Sequence, residues 1–463
     1  MSTVAKKWLW LLIAVIAMVV VVMLPAPKGL TMEGKNILGI ILFALILWAS
    51  DALPLGVSAF AIILLIPVLG IMPTGDTFKA FISPVIFFVI ATYGISVAIM
   101  KSPLAMRMTR FLLKWAGIST GKVLFAFMVG SAAFSAIISN VPVTALMMGL
   151  ALSIIEPMGL KPGESRLGKC FMLAIPFAAM IGGFATPAGS SVNVLALFLL
   201  NEYTGIGISF VDWMLMGIPI CIVILPFAWW VIIKMFKPEK IEPEVMESIV
   251  NHIEIPTKLT VKEWKILAII FTISSLWIAS SWVPALNLTL IAIGGLLLFF
   301  LPGMNLFTWE QFNEDVGWDG ILLIGSVTAL GSAVVVTGLG SWIVETALSG
   351  FLGMGIVATT GLVGMLVNLL HLILPVAPAL VSMSIVPFVD VANLIGINPA
   401  IFTFTIAALS GCCLLVPLDA VPIMTYTKKY YTIWDMFKAG SIVSIVLVIL
   451  VALWLPFISG LIL

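Results

Sequence analysis

The stretch AFSAIISNVPVTALMMGLALSII, residues 133–155, is almost wholly apolar, carries Ser139-Asn140 near its middle, and lies between two basic segments. Lys101, Arg107, Arg110, Lys114 and Lys122 precede it; Lys161, Arg166 and Lys169 follow it. Basic flanks mark the cytoplasmic side of a membrane. A run with both flanks inside must enter the bilayer and leave by the same face. The pattern therefore predicts a re-entrant hairpin over about 123–160 with a polar tip. Irregular backbone at membrane depth survives only where protein buries it or it lines a water-filled cavity. A solute site near the midplane is the simplest reason to build one.

The rest of the chain agrees with a membrane setting. It is 62% hydrophobic and 9% charged, which no soluble core requires. Its net charge of +1 selects no partner and gives no sign of nucleic acid. Every Lys and Arg except Lys28, Lys35 and Lys79 falls in a segment that the topology places inside. Cys170, Cys221, Cys412 and Cys413 all lie in apolar runs without metal-ligand or disulfide spacing, and read as small buried residues. Lys6-Lys7 precede an apolar run too long for a signal peptide. It reads as an uncleaved first span with a cytoplasmic N-terminus.

The expected fold is an all-α polytopic membrane protein of about 11 transmembrane helices with two re-entrant hairpins. Residues 1–35 hold the first span. The first repeat covers 36–233: spans, then a basic amphipathic helix at 101–122 with Leu104, Met108, Leu112 and Trp115 on its apolar side, then the inner hairpin at 123–160. A span at about 170–200 follows, broken by GGFATPAGSSVN (182–193). A lysine-rich cytoplasmic loop at 234–265, with a surface His252, separates the halves. The second repeat, 266–463, echoes the first: DGILLIGSVTALGSAVVVTGLGSWI as counterpart of the fourth span, an outer hairpin at about 355–390, a broken helix at about 400–422, and a last span. FVDWMLMG (210–217) and IWDMFKAG (433–440) each place Asp five residues before Gly. An odd number of spans between the halves makes the repeat inverted and puts the C-terminus outside.

With these motifs in view, the chain resembles the divalent anion/sodium symporters, the dicarboxylate and citrate transporters of the ion-transporter superfamily. WASDALPLG, SNVPVTALMM, GGFATPAGSSVN, FVDWMLMGIP and WDMFKAG carry the likeness, which covers nearly the whole chain. The resemblance implies a homodimer in which a transport domain of hairpins and broken helices moves against a scaffold, elevator-fashion. It assigns Ser139 and Asn140 to both a substrate carboxylate and a sodium ion, with Val141 in place of the family Thr. It assigns Thr144, Ser190, Asn193 and, at the second tip, Pro378 to the substrate, and the Gly189 carbonyl to sodium. The second half departs from the pattern. Val-Ala-Pro-Ala (376–379) stands where a second Ser-Asn-Thr belongs, and Asp-Ala-Val-Pro-Ile (419–423) where a second Gly-Thr-Pro-Pro-Asn belongs.

Two ionisable residues fall at membrane depth, where each is a functional hypothesis by default. Asp419 reads either as a coupling group or as a partner of Lys428 or Lys429; His371 reads as a proton carrier, a substrate contact, or a histidine hydrogen-bonded between helices. Asp51 reads as the holder of a helix end or of a domain contact. The function expected is sodium-coupled symport of a small organic anion, a carboxylate or dicarboxylate, in a bacterial or archaeal cell membrane, with sodium the coupling ion and no other cofactor. Alternatives are proton-coupled or exchange transport of another anion, a non-transporting anion sensor, and a channel. An intramembrane enzyme lacks a nucleophile–base pair or metal cluster in this sequence.

Overall fold

The computed structural model describes residues 3–117, 119–242, 258–304, 306–347, 353–374 and 376–462. The described residues are helical and contain no strand. Residues 243–257 of the loop at 234–265, His252 included, and residues 348–352 lie outside them.

After α1 (Thr3–Met23), two sets of helices run in the same order. The first comprises α2 (Met32–Ser50), α3 (Leu55–Val68), a short α4 (Thr74–Phe81) leading into α5 (Pro84–Met100), α6 (Leu104–Ala116), α7 (Thr120–Ser135), α8 (Asn140–Ile155), α9 (Arg166–Gly183), α10 (Ser191–Thr204) and α11 (Phe210–Phe236). The second comprises α12 (Val261–Ala279), α13 (Leu288–Phe300), a short α14 (Trp309–Asp315) leading into α15 (Trp318–Val336), α16 (Leu339–Ala347), α17 (Ile356–Leu370), α18 (Ala377–Leu394), α19 (Pro399–Ser410), α20 (Ala420–Tyr426) and α21 (Ile433–Ile462). The packing is reciprocal: α3 lies on α15, α5 lies on α13, and α11 lies on α21. Among the described residues eight helices are long and apolar enough to cross a membrane. The helices α7 and α8 have 16 residues each, about 24 Å of helix against a hydrocarbon core of about 30 Å. They pack on α9 and are joined by residues 136–139; α17 and α18 likewise pack on α19. Every residue of α19 and nearly every residue of α9 is buried, so these two helices form the centre around which the pairs are wrapped.

The structure departs from the sequence expectation in places. The apolar run 319–343 is two helices, because Gly338 takes a left-handed φ of +69° and ends α15. The second of them, α16, occupies the place that α6 holds in the first set. On α6 the apolar side divides: Leu112, Leu113 and Ala116 are buried, whereas Trp115 is 59% and Phe111 68% exposed. The helix leans on α7, and that contact leaves Phe111 and Trp115 facing outward.

The repeated Asp-x4-Gly has a structural reason in both halves. Asp212 closes a capping box with Ser209 at the start of α11, and Asp435 accepts from Thr432 at the start of α21. Five residues on, Gly217 and Gly440 let each helix touch the backbone of the neighbouring break. A Cβ on Gly217 would lie 2.8 Å from the Phe184 carbonyl oxygen, and one on Gly440 only 1.8 Å from that of Leu414.

Four ion pairs form among the described residues. Lys101 pairs with Asp315, Arg107 with Glu263, Arg166 with Glu239 and Lys169 with Asp435. Lys35, one of the three lysines outside the one-sided pattern, is buried, and its ammonium donates to the Val22 and Leu24 carbonyls at the end of α1. Asp51 ends α2 in a left-handed conformation, φ 49°. Glu239 ties the chain after α11 to the start of α9, accepting from the Arg166 and Leu167 N–H groups. Burial opposes its charge, but those two donors and the Arg166 guanidinium outweigh burial and hold its carboxyl below the usual glutamate range. A lowered native pKa adds stability that is complete above the unfolded value, about 4.3, and is lost as pH falls through the native one. Glu239→Gln is therefore expected to cost about 1–2 kcal/mol near neutral pH, with the deficit closing in acid. Chemical denaturation of both proteins across pH checks this.

Candidate anion and cation site

A cavity of about 150 Å³ lies where the two helix pairs and the first break meet. Ser139 and Val141 from the start of α8, Ser190 and Ser191 from the start of α10, and Pro378 from the start of α18 line it, facing Phe88, Thr92 and Tyr93 of α5 and Leu323 and Ile324 of α15. Three helix N-termini thus converge on one space. Each carries unpaired N–H groups and about half a positive charge. Ser139 is the N-cap of α8 but makes no capping bond, so its hydroxyl is free for a ligand. Ser190 caps α10 by accepting from the Val192 N–H. No Lys or Arg lines the cavity; an anion there is met by helix ends and hydroxyls, and its carbon skeleton by aromatic and aliphatic walls. A larger cavity, about 460 Å³ between α5, α6, α7 and α12, is apolar apart from Arg107. Arg107 is already paired with Glu263, so nothing there orients an anion.

Behind the same tip is a cluster of oxygens. The Asn140 amide lies 3.3 Å from Ser135 Oγ and 3.2 Å from the Gly189 and Ala179 carbonyl oxygens. The Ser135 and Gly183 carbonyls crowd Gly189 so closely that a Cβ there would lie 2.6 and 2.5 Å from them. Turned one way, the Asn140 NH2 donates to the three oxygens, though it has two hydrogens for three acceptors. Turned the other way, Oδ1 joins them in a set of oxygen ligands suited to a hard cation. The C-termini of α7 and α9 end here, and unwound carbonyls at half-helix C-termini are where membrane transporters hold sodium. The residues present fit a sodium ion: Ser135, Asn140 and Gly189 would hold it, supplying neutral oxygen ligands.

The structure distributes the expected residues over three environments. Ser139, Ser190 and Pro378 line the cavity. Asn140 and Gly189 face the oxygen cluster behind it. Asn193 is 1% exposed and donates at 2.8 Å to both the Gly183 and Thr186 carbonyls, so it braces the break rather than facing the cavity. Thr144 is fully buried with an unpartnered hydroxyl, one turn along α8. Asp419 caps α20, accepting from the Val421 N–H at 3.2 Å; neither Lys428 nor Lys429 pairs with it among the described residues. His371 ends α17, away from the cavity, beside the second break. Ser135 and Thr186 went unread in the sequence. Thr186 donates to the Ala136 carbonyl and so fastens the break to the hairpin tip. The one signal for Ser135 is its place a turn before Ser139.

A family model described as the sodium:sulfate symporter transmembrane region matches residues 5–459. The sodium-dependent dicarboxylate transporter SdcS of Staphylococcus saprophyticus is 24% identical, over 96% of this chain and 90% of that protein. Its namesake from Staphylococcus aureus is 25% identical, over 94% of this chain and 88% of that protein. Among solved structures, the YdaH transporter of Alcanivorax borkumensis shares the fold with a TM-score of 0.54 and 13% identity, over 82% of this chain and 86% of that one.

Proposed function

The chain belongs to the sodium:sulfate symporter family, and from that membership we propose that it is a secondary active transporter coupling sodium movement to uptake of a small carboxylate, dicarboxylates included. The observation that carries this reading is the convergence of the N-termini of α8, α10 and α18 on one cavity, backed by an oxygen cluster on the far side of the same tip. Three helix ends together amount to about one and a half positive charges. That is enough to hold one carboxylate well, and a second only with help from a cation.

Adjacent residues supply the coupling. Ser139 faces the anion cavity and Asn140 faces the oxygen cluster. A filled cation site fixes the Asn140 amide and with it the start of α8, which presents Ser139 to the carboxylate. Each ligand then binds better in the presence of the other, a reciprocal coupling typically worth about 1–3 kcal/mol. The names of the two staphylococcal relatives support both sodium and a dicarboxylate.

The same reading assigns α7–α10 and α17–α20 to a moving transport unit and the remaining helices to a scaffold. The four ion pairs would lie in the cytoplasm, with the N-terminus, and the C-terminus outside. A homodimer in a bacterial or archaeal cell membrane completes the proposal. Uptake of radiolabelled succinate into proteoliposomes tests it. Sodium is expected to raise saturable uptake about tenfold or more over potassium, within the usual range of coupling. Succinate binding without uptake would make the protein a sensor, and uptake indifferent to sodium would remove sodium as the coupling ion. Sulfate in the same assay reports whether an inorganic oxyanion is taken instead.

A further inference from the structure

The second half contains a counterpart of the oxygen cluster, built with different chemistry. In the first half the C-termini of α7 and α9 converge beside Asn140. In the second, α17 ends at His371 and α19 at Ser410. Between them a cavity of about 10 Å³ is lined by Asn368, His371, Cys412, Cys413 and further residues of the second break, 411–419, a space for about one water molecule. Val376 and Ala377 stand where Ser139 and Asn140 stand in the first half, so the tip offers no side-chain oxygen. What the second half has instead is an imidazole.

His371 is 3% exposed, and neither ring nitrogen meets full hydrogen-bond geometry; the backbone of Leu409 is a weak partner. The Ser410 hydroxyl at the end of α19 is also buried without a partner. An unpaired polar group in such surroundings costs about 2–7 kcal/mol, so packing alone does not account for a histidine there. Two helix C-termini favour a positive charge between them, and the imidazolium, a donor at both nitrogens, suits their last-turn carbonyls. Few charges compete. The ionisable groups in the same wall are the Cys412 and Cys413 thiols, with Asp419 beyond Cys413. Neither α17 nor α19 carries a charged residue; α18 carries Asp390, and α21 carries Asp435 and Lys438 near its start. On the outer flank, Ile373 lines a cavity with Trp10 and Leu42 of helices whose charges are Lys6, Lys7, Glu33 and Lys35.

We propose that His371 is the second half's cation site and that its cation is a proton, taken up on one face of the membrane and released on the other with the anion and the first-half sodium. This rests on the transport reading above. The experiment has two arms. In proteoliposomes with a fixed sodium gradient, clamped voltage and both pH values above about 7, where carboxylates stay ionised, an inward proton gradient of one unit is expected to raise steady-state succinate accumulation up to about tenfold for one coupled proton. In His371→Gln the ratio with and without the gradient is expected to fall to one, whatever the uptake rate. Independently, in His252→Gln His371 is the sole histidine. Its ring resonances in the purified protein are expected to change with pH as one protonation step and to shift on adding succinate. A ring that keeps one protonation state, or a proton response retained by His371→Gln, overturns the assignment. Sodium-driven uptake without any proton response overturns it too and leaves the transport reading standing, whereas absence of sodium-driven uptake overturns the transport reading.

Discussion

Asn140→Ala is expected to remove most of the sodium-dependent stabilisation of the purified protein by succinate. A ligand that binds only the native state stabilises it by about 2.7 kcal/mol at a concentration one hundred times its Kd. Removing the amide deletes the one side chain that reaches Ser135 Oγ and the Gly189 and Ala179 carbonyls together. It also frees the start of α8, where Ser139 meets the anion. If binding weakens about a hundredfold, the same succinate concentration leaves about 0.4 kcal/mol. The variant is also expected to be less stable without ligand, by about 1–3 kcal/mol, because buried oxygens lose their donor. The decisive reading is therefore the difference made by sodium plus succinate, measured by thermal unfolding of each protein against its own ligand-free state. A full sodium-dependent shift in Asn140→Ala would place the cation elsewhere.

Much of the architecture was visible in the sequence because lipid imposes harsh rules. Apolar runs of helix length and the one-sided distribution of Lys and Arg follow from the cost of burying charge and open backbone. A Ser-Asn pair in the middle of such a run stands out for the same reason. Elements that obey no lipid rule were harder to read. The arm α16 was hidden because its apolar sequence continues that of α15, and only the left-handed Gly338 separates them. Ser135 was hidden because a serine in a helix ordinarily bonds its own preceding turn; its role depends on α9 and the break being folded beside it. Asn193 has the polarity of a ligand, yet its partners are the Gly183 and Thr186 carbonyls. No local pattern tells a residue that touches substrate from one that holds the backbone which does. The paired Asp-x4-Gly motifs gave away the repeat but not its reason, which is contact between a glycine and the backbone of a break.

Gly189→Ala is expected to have the larger effect on transport, although it adds a single methyl group. Gly189 has no left-handed φ, so alanine meets no intrinsic backbone strain; the obstacle is space. The new Cβ would lie 2.5 Å from the Gly183 carbonyl oxygen and 2.6 Å from that of Ser135. Both are backbone atoms, which cannot swing aside as a side-chain end can. The break and the hairpin tip must separate to admit the methyl group, and that separation pulls the Gly189 carbonyl away from Asn140 and Ser190 away from Ser139. Overpacking of this kind typically costs about 1–3 kcal/mol, and a site displaced by about 1 Å loses about a hundredfold in function. Sodium-dependent succinate uptake is thus expected to fall about a hundredfold or more. Gly205→Ala serves as the contrast: nothing lies within 4 Å of its Cβ, and its φ of +72° makes the cost one of local strain at the end of α10. It is expected to lower stability while leaving sodium dependence intact. Near-normal sodium-driven uptake in Gly189→Ala would show that the break and the tip need not touch, and would dissolve the link between cation cluster and anion cavity on which coupling depends.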